Sequence, residues 1–141
     1  MNPDVVKARS LVLSHGWNST SFQIVNPGIK RWFSEDGDAV VGFVRAPRMR
    51  IVVGAPVCTK ERLAAVSRAF EADAKAAGLT TCYFGAEARL EDAVAHDGGH
   101  SEFLIGAQPV WHPQEWPEIV AKNRSLRAQV NRARNKGVTV E

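Results

Sequence analysis

The stretch AVVGFVRAPRMRIVVGAP, residues 39–56, contains two runs rich in β-branched residues. The runs Ala39–Val44 and Arg50–Val53 are separated by the short segment Ala46–Arg48, which contains a proline. Two such runs joined by a short loop are typical of an antiparallel hairpin. The segment Gly54–Pro56 is a turn signal that ends the second strand. We therefore predict a β-hairpin near the middle of the chain.

Helices and strands are predicted on both sides of this hairpin. Thr59 is a suitable N-cap, and the apolar spacing after it predicts the longest helix, over residues 60–77, which Gly78 ends. The uncharged run Thr80–Phe84 predicts a central strand. The pattern also predicts helices over residues 4–15, 87–95 and 125–136, strands over 21–25, 102–107 and 138–140, and irregular chain over 29–33 and 109–117. This order predicts an α/β fold with a mixed sheet and flanking helices.

The composition is that of a globular protein. The 141 residues, 45% of them hydrophobic, are enough for one compact domain with its own core. No apolar run approaches the roughly 18 residues of a membrane span, and the N-terminal segment lacks the apolar stretch of a secretory signal. Cys58 and Cys82 match no metal-binding or redox spacing, so we expect buried, reduced thiols. These features favour a cytoplasmic location.

Positive charge is concentrated near the end of the sequence. Residues 122–137 hold six of the 18 Lys and Arg residues and no acidic residue. The rest of the chain has 12 Lys and Arg residues against 15 Asp and Glu residues. The sequence therefore divides into a mildly acidic body and a basic C-terminal segment.

The basic segment is predicted to be a helix with two distinct faces. Its apolar stripe consists of Leu126, Val130 and Ala133. A neighbouring face groups Arg124, Arg127, Asn131 and Arg134. Guanidinium groups bind phosphates through paired N–H donors, so this face is a candidate anion-binding site. The alternative is a solvated helix whose C-terminal cations favour the helix dipole; Arg134 fits it, whereas Arg124 and Arg127 oppose the dipole.

Two further positions at the ends of strands are candidates for chemistry. The Val52–Pro56 segment joins a strand to a helix, where GNAT-type acetyltransferases hold the pyrophosphate of coenzyme A on backbone N–H groups. Here Pro56 removes one N–H and only one glycine is present, so we interpret the junction as structural. Glu87 follows the strand Thr80–Phe84, where its carboxylate can take part in chemistry or stabilise the start of the next helix; we favour the helix role.

No metal site is predicted. His96 and His100 flank a loop with two glycines and have no third ligand, so they do not form a helical ligand pair. The acidic cluster Glu35, Asp36 and Asp38 is not followed by a calcium-loop pattern and is interpreted as a solvated turn.

Several segments, in the same order along the chain, resemble the catalytic domain of bacterial phosphatidylglycerol lysyltransferases and its soluble relatives. The motif that matches best, Ser125–Arg127 followed by Asn131–Val138, is similar to one in Fem-type peptidyltransferases. The other matching segments are His15–Asn18, Trp32–Phe33 before Gly37–Val40, Val53–Pro56, Tyr83–Glu87 and Ile105–Gln108.

This resemblance implies a pair of GNAT-like lobes in tandem that does not use coenzyme A. Residues 1–120 would form the first lobe, and residues 121–141 a basic linker helix and the start of a strand leading to a second lobe. The donor would be an aminoacyl-tRNA and the acceptor a hydroxyl of an anionic lipid, or another hydroxyl or amine. The family places most catalytic residues in the second lobe, so the resemblance assigns none here and implies that this chain alone is inactive.

Two alternatives remain open from the sequence. The first is a binding module that uses the basic helix to hold nucleic acid or an acidic membrane surface. The second is a coenzyme A acetyltransferase, which the missing glycines disfavour. We also expect a membrane-peripheral location, and a homodimer if a strand at residues 138–140 is an exposed edge.

Overall fold

The computed structural model describes residues 2–107 and 112–139. They form two compact units, unit 1 over Met1–Ser101 and unit 2 over Glu102–Glu141. The assignment of residues 1–120 to one lobe and 121–141 to a linker stays a prediction.

Unit 1 contains a four-stranded mixed sheet. Its strands are β1 (Lys30–Phe33), β2 (Val40–Ala46), β3 (Met49–Val53) and β4 (Thr80–Phe84), in the order β1-β2-β3-β4. β2 is antiparallel to both β1 and β3, and β4 runs parallel to β3. The predicted hairpin is therefore confirmed as β2 and β3.

Helices lie on both faces of this sheet. Helix α1 (Pro3–His15) and a 3₁₀ segment (Ser19–Val25) pack on one face through a core of Ala8, Val12, Ile24, Val40 and Val57. Helix α2 (Leu63–Ala76), preceded by a 3₁₀ turn (Lys60–Arg62), packs on the other through Val41, Phe43, Val52, Leu63, Val66 and Phe70. Successive strand residues point to opposite faces, so neighbouring Val40 and Val41 belong to different cores.

Helix α2 makes the crossover that parallel strands require. It connects the end of β3 to the start of β4, and Gly78 closes it with a φ of 70°. Helix α3 (Ala88–Val94) follows β4. The predictions of helices over 4–15, 60–77 and 87–95 agree with α1, α2 and α3 within a few residues at each end.

Three secondary-structure predictions in unit 1 are wrong, and Cys82, expected to be buried, is exposed. The strand expected over 21–25 is the 3₁₀ segment, because the Asn18 side chain accepts a hydrogen bond from the backbone N–H of Ser21 and starts a turn. The segment 29–33, expected to be irregular, contains β1, which gains a full set of partners from β2. Strand β4, expected to be central, is an edge strand of the sheet formed by the described residues.

The described residues of unit 2 form two helices, α4 (Trp116–Lys122) and α5 (Arg124–Asn135). Trp116, expected in irregular chain, begins α4, since Pro117 is tolerated in a first helical turn. The strand predicted over residues 102–107 is absent, and its apolar side chains are exposed: Phe103 by 81%, Leu104 by 92% and Ile105 by 69%. A strand needs a pairing partner, and this segment has none among the described residues.

The predicted strand at residues 138–140 is absent at its first two positions. Val138 and Thr139 are not in a strand, and Val140 lies outside the described residues, as do Gln108, Pro109 and Trp111. The homodimer expected from an exposed edge there stays a prediction. In the part of the chain that the structure describes, no helix combines the length and apolar character needed to cross a bilayer.

Candidate functional site

The strand-to-helix junction after β3 is closed by backbone hydrogen bonds. The N–H of Gly54 donates to the carbonyl of Phe84 at 2.9 Å, and the N–H of Val57 donates to the carbonyl of Val40 at 2.9 Å. Pro56 has no N–H, and Ala55–Cys58 are buried. The Gly54 and Val57 N–H groups of the junction therefore hold β2, β3 and β4 together. This supports the interpretation of the junction as structural and not as a binding site for a pyrophosphate.

Gly54 also lets the 3₁₀ segment pack against this junction. Its φ is 77°, a left-handed conformation that favours glycine. A Cβ at Gly54 would lie only 3.0 Å from the Thr20 methyl carbon. This close packing brings the Trp17–Asn18 pair near the ends of β3 and β4.

Asn18 links that pair to the segment after β4. Its Nδ2 donates to Glu87 Oε1 at 2.7 Å, while its Oδ1 accepts from the Ser21 N–H at 2.9 Å and the Ser21 hydroxyl at 2.8 Å. Glu87 occupies the N-cap position of α3, where a negative charge is favourable, but its side chain makes no capping hydrogen bond. Its carboxylate is instead held by the neutral Asn18 amide, and the favoured helix role stays a prediction.

Arg89 places a positive charge near Trp17, at the same end of the sheet as Glu87. The Arg89 guanidinium carbon lies 5.0 Å from the centre of the Trp17 ring, and Nη2 donates to the Cys58 carbonyl at 3.4 Å. Arg89 Nε is buried, with no hydrogen-bond partner among the described residues. Burial raises the pKa of the Cys58 thiol to about 11, so this thiol is protonated at neutral pH and is not a nucleophile.

We name Trp17, Asn18, Glu87 and Arg89 the junction cluster. It lies at the carboxyl ends of the parallel strands β3 and β4, a common location for ligand sites in α/β sheets. A carboxylate and a guanidinium that pair with neutral groups can both bind charged groups of a ligand. His15–Asn18 and Tyr83–Glu87 are among the segments that carry the family resemblance, but no spacing pattern in the sequence identifies Trp17, Asn18 or Arg89, because none predicts that α1 ends beside β4.

A second polar cluster lies between α2 and the sheet. Tyr83 donates its hydroxyl hydrogen to Glu71 Oε1 at 2.8 Å, and His100 Nε2 lies 3.0 Å from the same oxygen. Burial, then the Glu71 hydrogen bond, raises the pKa of Tyr83. His100 therefore anchors its loop to α2, while the structure shows no such contact for His96.

The acidic turn after β1 is held by local bonds. The Ser34 hydroxyl donates to Asp36 Oδ1 at 2.6 Å, and the Asp38 N–H donates to the same oxygen at 3.0 Å. These bonds lower the pKa of Asp36, and Arg62 also contacts its carboxylate. Within residues 2–107 and 112–139, no three His, Cys, Asp or Glu side chains group as potential metal ligands.

Helix α5 in unit 2 carries the predicted anion-binding residues. Its N-cap is Asn123, whose Oδ1 accepts from the N–H groups of Ser125 at 3.1 Å and Leu126 at 3.2 Å. The helix therefore begins at Arg124, one residue before the predicted range 125–136. The half-buried side chains are Leu126, Val130 and Ala133, as the predicted apolar stripe requires. Helical periodicity places Arg124, Arg127, Asn131 and Arg134 together on an adjacent, exposed face.

The cations of α5 differ in their partners. Arg127 donates to the carbonyl of Ala121, which ties α5 to α4. Lys122, the last residue of α4, lies 3.5 Å from Glu118 in the same helix. Arg124, Arg132 and Arg134 form no ion pair with any residue that the structure describes. An anion-binding role for the predicted face remains a prediction.

Comparisons with known proteins agree on one family. The family model described as "Phosphatidylglycerol lysyltransferase, C-terminal" matches residues 9–141. The structure of L-PGS from Bacillus licheniformis is similar over 70% of this chain and 29% of its own, with 23% identity and a TM-score of 0.58. The C-terminal domain of an Agrobacterium fabrum protein assigned as a lysylphosphatidylglycerol synthetase is 25% identical over 67% of this chain and 30% of its own, with a TM-score of 0.57.

These similarities confirm the predicted fold class, a GNAT-like mixed α/β sheet with flanking helices. The chain spans less than a third of the length of either of these two structures. The search of curated proteins found no match.

Proposed function

This chain belongs to the phosphatidylglycerol lysyltransferase C-terminal family, and from that premise we propose that it is part of an aminoacyltransferase. The donor is an aminoacyl-tRNA and the acceptor is the hydroxyl of an anionic lipid. The observation that carries the proposal is the family match over residues 9–141, which includes the junction cluster and the basic helix.

The reaction is the transfer of an acyl group between two oxygens. The acceptor hydroxyl oxygen attacks the ester carbonyl of the aminoacyl-tRNA, the ester C–O bond breaks, and the tRNA ribose oxygen leaves with the proton. A general base and a group that stabilises the oxyanion lower the barrier to this step. We propose that a second lobe supplies most of these groups, so the 141-residue chain alone has no transfer activity.

In this proposal α5 binds phosphates. Arg124, Arg127, Asn131 and Arg134 share an exposed face of a helix without acidic residues. Arginine side chains bind phosphate oxygens in pairs, and the phosphates of tRNA or of lipid headgroups are the anions that the reaction offers. This role also favours a location at the membrane surface.

Transfer can be measured directly. Two proteins are compared: the 141-residue chain, and a longer protein in which a second lobe follows the chain. Each is incubated with tRNA charged with a labelled amino acid and with vesicles that contain phosphatidylglycerol. We expect label in the lipid phase for the longer protein and none for the chain alone. Absence of label from both, across lysyl-, alanyl- and arginyl-tRNA, would contradict the lipid acceptor.

A second candidate is an anion-binding module without transfer activity. The exposed Arg124 and Arg134, which have no acidic partner among the described residues, favour it. It predicts salt-sensitive binding of the isolated chain to tRNA or to acidic vesicles, with no label transferred even by the longer protein.

A further inference from the structure

One end of the sheet in unit 1 is surrounded by exposed cations. Strands β1, β3 and β4 begin at this end and β2 ends there. The last turn of α2 also lies there, because the Thr80 N–H, just beyond α2, donates to the carbonyl of Arg48 at 3.0 Å. The exposed cations of this end are Lys30, Arg45, Arg48 and Lys75.

The two acidic residues in the second half of α2, Glu71 and Asp73, have other partners. Asp73 Oδ2 lies 2.6 Å from Arg50 Nη1, and Glu71 Oε1 accepts from Tyr83 and contacts His100. The sequence contains no acidic residue between Asp38 and Glu61. None of the four cations forms an ion pair with a residue that the structure describes.

Arg45 is placed where it opposes folding. It pairs in register with Arg50 across the antiparallel strands β2 and β3. Like charges directly opposite each other in a sheet are destabilising. Asp73 compensates Arg50, whose guanidinium also lies over the Phe43 ring at 5.1 Å, but nothing compensates Arg45. A cation that the fold does not need points to a role in binding.

Two aliphatic side chains are exposed at the same end, on the face of the sheet opposite Arg45. Val44 is 42% exposed and Met49 is 37% exposed, on the two strands that flank the β2–β3 turn. An end of the sheet that exposes both aliphatic groups and Lys and Arg side chains suits the boundary between lipid headgroups and acyl chains. A single-stranded RNA site instead uses aromatic side chains on which bases stack, and this end exposes no Phe, Tyr or Trp among its turn residues 44–49.

The opposite end of the sheet carries charges of both signs. Its carboxylates are Glu35, Asp36, Asp38 and Glu87, and its cations include Lys60, Arg62 and Arg89. Arg62 contacts the Asp36 carboxylate, so part of this charge is paired within that end. A negatively charged surface is therefore attracted to the cationic end more strongly than to this mixed end.

We propose that the cationic end, formed by Lys30, Val44, Arg45, Arg48, Met49 and Lys75, docks unit 1 on an anionic lipid bilayer. The docking surface is distinct from the basic helix α5 and requires no transfer chemistry. It rests on the proposed function only for the choice of phosphatidylglycerol as the lipid. The junction cluster, at the other end of the strands, then faces away from the bilayer and is accessible to a partner in water.

The test is co-sedimentation of the 141-residue chain with vesicles. Vesicles of phosphatidylcholine with 30 mol% phosphatidylglycerol, about one lipid in three, are compared with vesicles of phosphatidylcholine alone. The variant R45E/R48E is expected to bind at least about 30-fold more weakly, because each basic residue near an anionic surface contributes about fivefold. Arg45→Glu also places a carboxylate opposite Arg50, so the sheet is not destabilised.

Matched variants separate this surface from others. R9E/K60E makes the same charge change at two exposed residues away from the cationic end and should bind nearly as the parent chain does. Met49→Ser should weaken binding without changing net charge. The proposal is overturned if R45E/R48E binds like the parent, if R124E/R134E alone abolishes binding, or if binding ignores phosphatidylglycerol. Binding to tRNA and not to vesicles overturns it too, and none of these outcomes depends on a transfer assay.

Discussion

Asn18 and Glu87 are 69 positions apart in the sequence, and their side chains form a hydrogen bond of 2.7 Å at the end of the parallel strands. The same Asn18 side chain accepts two hydrogen bonds from Ser21 with its oxygen. One amide therefore starts the 3₁₀ segment and fixes the carboxylate that follows β4. Local structure and the geometry of the junction cluster depend on the same residue.

Replacing Asn18 with Ala should destabilise unit 1 by about 1–3 kcal/mol, because the Ser21 N–H loses its acceptor and Glu87 loses its donor. Urea unfolding followed by tryptophan fluorescence measures this change. Asn18→Asp is the informative comparison, since it keeps the acceptor for Ser21 but places a second carboxylate beside Glu87. If N18A unfolds at the same urea concentration as the parent, the bond has no structural role.

Glu87→Gln should leave stability within about 0.5 kcal/mol of the parent, since the Gln side-chain oxygen still accepts from Asn18. The substitution removes the negative charge and little else. In the longer protein that transfers label, a loss of transfer with E87Q at unchanged stability would assign the carboxylate to binding or chemistry. Unchanged transfer would make Glu87 a structural partner of Asn18 only.

Gly54→Ala should destabilise unit 1 by about 1–3 kcal/mol, because alanine is strained at a φ of 77° and its Cβ approaches Thr20 to 3.0 Å. The double variant G54A/T20S removes the Thr20 methyl and should recover only the part of the loss that comes from crowding. The remainder measures the backbone strain. Equal midpoints for G54A and the parent in thermal unfolding would refute both contributions.

The hairpin, the crossover helix and the edges of most helices follow from the sequence because they depend on local periodicity and turn residues. The segment 29–33 forms the strand β1 because its partner β2 supplies a full register of pairs, which local periodicity does not show. The segment 21–25 is a 3₁₀ turn because the Asn18 side chain accepts from Ser21, a local cap that outweighs the β-branched character of the segment. The segment 102–107 has the β-branched and aromatic character of a strand but no pairing partner in the described residues. The junction cluster could not be predicted from local patterns either, because its residues come together only when the segments after α1 and after β4 meet at the end of the sheet.

The two cysteines should differ in reactivity. Both were expected to be buried, but only Cys58 is, and Cys82 is exposed. With its pKa raised to about 11 by burial, Cys58 is protonated at pH 8, so iodoacetamide should modify Cys82 alone in the folded chain and both cysteines in urea. Peptide mass spectrometry identifies the site. Rapid modification of Cys58 in the native chain would show that the β3–α2 junction opens.

The same shift predicts a loss of stability at alkaline pH. The Cys58 pKa is 9.0 in the unfolded chain and about 11 in the folded chain, so the unfolded chain loses its proton first. The stability that the protonated thiol contributes is complete below pH 9 and is lost as the pH rises toward 11. Cys58→Ala, which cannot ionise, should flatten the stability curve over this range. An equally steep fall in C58A would assign the loss to other groups.

The basic helix is tested by variants on its two faces. Arg124→Ala and Arg134→Ala should each weaken binding of the chain to tRNA and reduce the slope of log affinity against log salt by about one, because each removes one phosphate contact. Arg132→Ala removes the same charge from outside the Arg124, Arg127, Asn131 and Arg134 face and is the matched control. Arg127→Ala is expected to reduce binding further, since it also releases the bond to Ala121 that ties α5 to α4. If all four variants reduce affinity equally, the helix acts only through its total charge, and the grouping of Arg124, Arg127, Asn131 and Arg134 carries no specific site.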